Sequence, residues 1–137
     1  MTSHHLLQAD ALRRLECSSW VIIQRIKIAR TVMDAIRIFQ SHQEILPPHA
    51  KGLIPSQERR AKMEIFDAFH CRVNELIRRN LQNDLLSLEE RKFYALNTLR
   101  NLKSSLPATR MGLVNYIHGA PNPFVDQHEF GIKKVEC

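Results

Sequence analysis

Seven histidines and three cysteines are the residues of this 137-residue chain whose types suit metal binding or nucleophilic attack. Zinc needs ligands that converge, usually from short spacings such as C-x2-C or H-x3-H. Here His4-His5 and His70-Cys71 are adjacent pairs. Neighbours on a helix point roughly 100° apart and chelate poorly. His49, His118 and His128 fall in loops or near the ends of the sequence. No metal or other cofactor is therefore expected. Cys71 beside His70 fails as a nucleophile and base for the same geometric reason, and no third group orients the imidazole. Cys71 reads better as a small residue flanking a core. Ser18, Ser19 and Ser56 lack the glycine elbow of hydrolases. No glycine-rich phosphate cradle and no Glu-x-x-His tetrad is written in the chain. The expectation is a protein that is not an enzyme.

The second chemistry open to these residues is charge. Lys and Arg number 20 against 14 Asp and Glu, a net charge of +6. That balance suits polyanions and acidic protein surfaces, and equally plain solubility. Basic residues cluster at Arg13-Arg14, Arg25/Lys27/Arg30, Arg59-Arg60/Lys62, Arg78-Arg79, Arg91-Lys92 and Lys133-Lys134. Phosphate binding wants several of them on one face. Arg13, Arg14, Arg59, Arg60 and Lys62 form the best candidate set. Against it, Glu58, Glu64, Asp67, Glu75, Glu89 and Glu90 interleave with the clusters. No aromatic residues stand among them for base stacking, and no helix-turn-helix spacing is evident.

These side chains must be carried by helices. Glycine is scarce at four residues, which favours long elements over many short ones. Hydrophobic residues at 44% and charged residues at 25% describe an ordinary globular chain, one domain long. Leu6, Leu7, Ala11, Leu12 and Leu15 recur at helical spacing, and Cys17-Ser18-Ser19 is compatible with a break or kink and equally with a helix that runs straight through. From Ser19 to about Gln43 a second helix is expected. Ile22, Ile26, Ala29, Met33 and Ile36 make one stripe, and Val21, Ile28, Val32, Ala35 and Phe39 its neighbour. Only Lys27, Arg30, Asp34, Arg37 and Ser41 form a polar ridge, so this helix is expected to be a central core helix or to face both a core and a partner. Its charges exclude an ordinary membrane span.

Residues 46–55 carry three prolines and a glycine and read as a connector. Ser56 opens a long helix with Met63, Phe66, Phe69, Val73, Leu76 and Ile77 on its inner face, and Arg60–Glu64 and Glu75–Arg79 as exposed pairs. Ser87 and Glu90 spell a capping box for another, with Leu88, Ala95, Leu99, Leu102 and Leu106 inward, stopped by Pro107. A short element over 108–118 ends at Gly119. The fold class is all-α: a compact bundle of four to five helices over 1–119, with an irregular tail over 120–137.

The expected function is a non-catalytic protein–protein interaction module: an adaptor, regulatory or accessory subunit. It would meet a protein partner, or itself as a homo-oligomer, through Trp20, Ile23, Ile28, Val32 and Phe39 of the Ile-rich helix. The alternative is a basic nucleic-acid-binding protein, of a composition found among viral and phage accessory proteins. Asn122-Pro123-Phe124 resembles short peptide ligands of endocytic EH domains, although Asn-Pro is also a turn signal. Leu76, Leu81, Leu85 and Leu88 resemble an export signal and equally a core. An odd cysteine count, the lack of an apolar leader and the broken apolar runs point to a soluble intracellular protein, cytoplasmic or nuclear.

Overall fold

The computed structural model describes residues 2–41 and 55–124. They hold five helices and no strand: α1 Thr2–Lys27, α2 Val32–Gln40, α3 Pro55–Leu81, α4 Leu88–Leu102 and α5 Pro107–Ile117. The protein is all-α, as its scarcity of glycine implies. Residues 42–54, which hold nearly all of the proline-rich connector, lie outside the described residues, as does the tail beyond Phe124.

The described helices divide between two compact units. One is built from α1, α2 from Asp34 onward and α3 as far as Phe69. The other comprises Arg30–Met33, α3 from His70 onward, α4 and α5.

In the first unit, α1 runs straight through Cys17-Ser18-Ser19, which decides between the break and the continuous helix that the sequence left open. Ser19 is buried, and its hydroxyl donates to the Leu15 carbonyl at 2.7 Å. The serine thus bonds back to its own helix instead of diverting the chain. The Ile-rich segment breaks later. Ile28 still donates to Gln24 and Ala29 closes a tighter turn on Ile26, at 3.2 and 3.1 Å. The chain then restarts at Val32. Thr31-Val-Met-Asp34 has the spacing of a capping box, and Asp34 stands in the first turn of α2. The single helix expected from Ser19 to Gln43 is therefore two.

The buried side chains of this unit include Ala11, Leu15, Ile22 and Ile26 on α1, Ala35 and Ile36 on α2, and Ala61, Ile65 and Phe69 on α3. Met63 and Phe66, expected inward, are exposed. At this end α3 buries its Ala61–Ile65–Phe69 stripe, so the two larger side chains fall outside it. Phe39 stacks on Phe69 with ring centroids 4.3 Å apart, and meets Phe66 edge-on at 6.2 Å.

In the second unit, α3 continues with Val73, Leu76, Ile77 and Leu81 buried. Asn83 turns the chain by accepting the Leu85 N–H on Oδ1 at 3.0 Å. Arg91 reaches back from α4 and donates twice to the Asn83 carbonyl, at 2.8 and 3.2 Å. Ser87 caps α4 in a full capping box with Glu90. Pro107 begins α5 rather than ending α4, at the first-turn position that proline's fixed φ favours. Gly119, at φ +100°, follows the end of α5 in the left-handed conformation expected of it. Ala95, Leu102, Leu106, Leu113 and Tyr116 are buried here, whereas Leu88 and Met111 are exposed.

Candidate interaction surface

The buried residues of α1 recur every three or four positions: Ala11, Leu15, Ser19, Ile22 and Ile26. At 3.6 residues per turn they form one stripe, and Arg13, Cys17, Trp20 and Gln24 trace the opposite one. Ile28 extends that outer stripe because its N–H still bonds to Gln24. Trp20, the chain's single tryptophan, is 63% exposed, and Ile28 is 74% exposed. Val21 is exposed beside them. The charged flank of α1 holds Arg14 to Asp10 at 3.3 Å.

The five residues expected at a partner interface therefore part company. Trp20 and Ile28 stand outside, about two turns apart with Gln24 between them. Ile23 is half-buried at the edge of the inner stripe. Val32 is buried on α2, and Phe39 is half-buried with its ring engaged by Phe66 and Phe69. Val32 and Phe39 are used inside the protein, because the turn over Ile28–Thr31 separates their helix from the one that carries Trp20.

Arg13, Arg14, Arg59, Arg60 and Lys62 are all exposed. Three of the five already meet an acid one helical turn away: Arg14–Asp10 at 3.3 Å, Arg60–Glu64 at 3.3 Å and Lys62–Glu58 at 3.8 Å. Arg13 and Arg59 make no ion pair among the described residues. Each paired residue presents less positive charge to a phosphate. Glu75 likewise binds Arg79, as its spacing implied, and also Arg72 at 3.3 Å.

Cys71 is buried and disulfide-bonded, which removes it from the candidate nucleophiles. His70 Nε2 lies 2.9 Å from Asn74 Nδ2 on the same helix. Cys17 is a free, exposed thiol. Among the described residues no three His, Cys, Asp or Glu side chains gather to hold a metal ion. No described helix is long and apolar enough to cross a membrane.

Asn122-Pro123-Phe124 folds as an Asx turn, with Asn122 Oδ1 accepting the Phe124 N–H at 2.9 Å. The Phe124 ring lies over Gly112 of α5, where an added Cβ would come within 3.0 Å of Cζ. Its aromatic anchor is thus placed on its own protein. Of the four leucines with export-signal spacing, Leu76 and Leu81 are buried while Leu85 and Leu88 are exposed.

Sequence reading missed Phe93. It is 70% exposed on α4, and its face carries Leu96, itself 37% exposed. The signal was present in the spacing: Ala95, Thr98 and Leu102 define the inner stripe, and Phe93 falls opposite it.

No protein-family model, curated protein or solved structure matches this chain.

Proposed function

We propose that this chain is a non-catalytic protein-interaction module whose contact surface is the outer stripe of α1. One observation carries the reading: the only tryptophan stands on the face opposite the buried stripe, with Ile28 two turns further along it. Tryptophan is enriched among the residues that dominate binding energy. At its observed exposure, covering Trp20 removes on the order of 100 Å² of mainly apolar surface, about 3 kcal/mol. Ile28 adds to the same patch. A soluble protein that keeps such a pair outward pays in solubility unless a partner covers it.

Trp20 also supplies the test. Its emission reports one place in the molecule. Titrating the protein from about 1 μM to 1 mM spans the range of weak interfaces. Burial of the stripe by a second copy shifts the emission to shorter wavelength, and Ile28→Asp removes the shift while far-ultraviolet circular dichroism stays that of the wild type. For a different protein as partner, a photo-crosslinking residue at Gln24 should capture it in cells, and Trp20→Ala with Ile28→Asp should abolish the adduct. No concentration-dependent shift and no protein adduct would sink the proposal.

The second reading is nucleic-acid binding, supported by the exposed Arg13 and Arg59, which make no ion pair among the described residues. Fluorescence anisotropy with labelled RNA and DNA at about 50 and 200 mM salt tests it, because counterion release gives a steep salt dependence. Arg59→Glu with Arg60→Glu should lower affinity for all sequences alike. The absence of binding at low salt retires it.

A further inference from the structure

Helix α4 carries two stripes of identical spacing. Arg91, Ala95, Thr98 and Leu102 run along one face. The last three are buried, and Arg91 is tied to the Asn83 carbonyl. Glu89, Phe93, Leu96 and Arg100 run along the opposite face, all of them exposed. At 100° per residue the outer four lie within roughly 60° of one another. Neither Glu89 nor Arg100 makes an ion pair among the described residues. The outer stripe is thus an acid, an aromatic, a leucine and a base, and Phe93 and Leu96 at its apolar centre are exposed among the described residues.

The order of these four has a symmetry. Reversing the helix direction about the point midway between Tyr94 and Ala95 exchanges Glu89 with Arg100 and Phe93 with Leu96. A second copy laid antiparallel across that point therefore meets each Glu89 with an Arg100 and each Phe93 with a Leu96. A parallel copy would set Glu89 against Glu89 and Arg100 against Arg100. Isologous contacts require this property, because residue i must suit j where j suits i. Antiparallel alignment also opposes the two helix dipoles favourably.

We infer that the outer stripe of α4 is a self-association surface, its occupant the same stripe of a second copy running antiparallel. The two apolar pairs drive contact and the two charge pairs fix direction and register. A 15-residue helix is about 22 Å long, so one helix pair covers less than the roughly 1,200 Å² of a standard interface. The dimer is accordingly a weak one. It differs from the contact proposed for α1 and leaves Trp20 free for another protein.

Sedimentation equilibrium of the full chain, from about 10 μM to 1 mM, tests it over the range of weak association. A concentration-dependent dimer is expected, with no shift in Trp20 emission. Glu89→Arg alone and Arg100→Glu alone each replace two attractions by two repulsions and should weaken the dimer on the order of tenfold. The double variant Glu89→Arg, Arg100→Glu restores the pairing with signs reversed and should return to within about twofold of the wild type. Phe93→Asp should abolish the dimer with helicity unchanged. If Phe93→Asp instead loses helicity, the exposed charge swap decides alone. A monomer throughout the range, a double variant no stronger than either single one, or a dimer that shifts Trp20 emission and survives Phe93→Asp would each overturn the inference. The last of these leaves the α1 proposal standing, the second leaves it untouched, and the first restricts the α1 surface to a different protein as partner.

Discussion

Thr109 on α5 donates its hydroxyl to Asn74 Oδ1 on α3 at 2.8 Å, a bond that spans 35 positions of sequence. Asn74 Nδ2 lies 2.9 Å from His70 Nε2. Both ends of the Asn74 amide are thereby used, and Thr109 is almost wholly buried. A buried polar group stripped of its partner costs the desolvation of that group, about 1–3 kcal/mol. Asn74→Leu should therefore lower stability by that amount in urea unfolding, and Thr109→Val by about 1 kcal/mol. The double variant should cost less than the two single ones together, because neither partner is left orphaned. Strict additivity would show that the bond does not couple the two helices.

The α4–α5 connection holds the two non-glycine residues with positive φ among those described. Lys103 has φ 54° and ψ −117°, a region that suits glycine, and its side chain is exposed. Leu106 has φ 53° and ψ 66°, and its side chain is buried. Such conformations cost of order 1–3 kcal/mol and persist only where the surroundings hold them. At Lys103 nothing is gained from the side chain, so Lys103→Gly should stabilise the protein by up to about 1 kcal/mol, after allowing for glycine's larger unfolded-state freedom. At Leu106 burial offsets the strain, and Leu106→Gly should destabilise by about 2 kcal/mol or more. Thermal unfolding of the two variants should move in opposite directions. A fall in melting temperature for Lys103→Gly would mean that the backbone at 103 carries no strain.

The parts legible in sequence were those written in punctuation. Ser87 and Glu90 announced the start of α4, and Gly119 the end of α5, because caps and left-handed residues act through their own backbone. Helix direction and type followed from spacing. What spacing hid was the choice between equally apolar faces. Ala61 and Ile65 are buried where Met63 and Phe66 seemed the stronger candidates, since the alternation of large residues says that a face is apolar but not which face is covered. The Ile-rich run concealed the turn at Ile28–Thr31 for the same reason, although Thr31 and Asp34 had the spacing of a capping box. Ser19 left a choice open: its hydroxyl satisfies the Leu15 carbonyl inside a helix that it could equally have interrupted. At the candidate surface, sequence put Trp20 and Ile28 on the contact face together with Val32 and Phe39 but could not separate the exposed pair from the inward one. That required knowing that Ala11, Leu15, Ile22 and Ile26, rather than the neighbouring stripe, are the ones buried.

The capping box gives α4 an acid-sensitive start. Ser87 Oγ accepts the Glu90 N–H at 3.1 Å, and Glu90 Oε1 accepts the Ser87 N–H at 3.0 Å. The Ser87 backbone bond, followed by its side-chain bond, holds the Glu90 carboxyl below its ordinary value of 4.5. A carboxyl with a depressed folded pKa stabilises the fold at pH above the unfolded value, and that contribution is lost as the pH falls through the folded one. Urea stability should therefore drop below about pH 4.5 by more in the wild type than in Glu90→Gln, whose amide oxygen still accepts the Ser87 N–H at every pH. Ser87→Ala should cost about 1 kcal/mol at neutral pH. Equal acid sensitivity in Glu90→Gln and wild type would assign the acid loss to other carboxylates.

At the alkaline end the same helix carries the opposite dependence. Burial pushes the Tyr94 phenol above its ordinary value of 10.0, while contacts with Thr98 and Asn80 pull in the other direction. The neutral phenol is the form the folded protein accommodates. Below the unfolded value both states keep the proton and stability is flat. Above it the unfolded chain releases the proton first, so stability declines as pH rises from about 10 toward the folded value. Tyr94→Phe has no proton to lose and should flatten this decline, at the expense of whatever its hydroxyl contributes with Thr98 and Asn80 at neutral pH. Phenolate absorbance gives an independent check, because the chain has only two tyrosines. The titration curve of Tyr94, obtained as the difference between wild type and Tyr94→Phe, should lie above that of a free tyrosine. A coincident curve would place the phenol in water and remove the alkaline dependence from this residue.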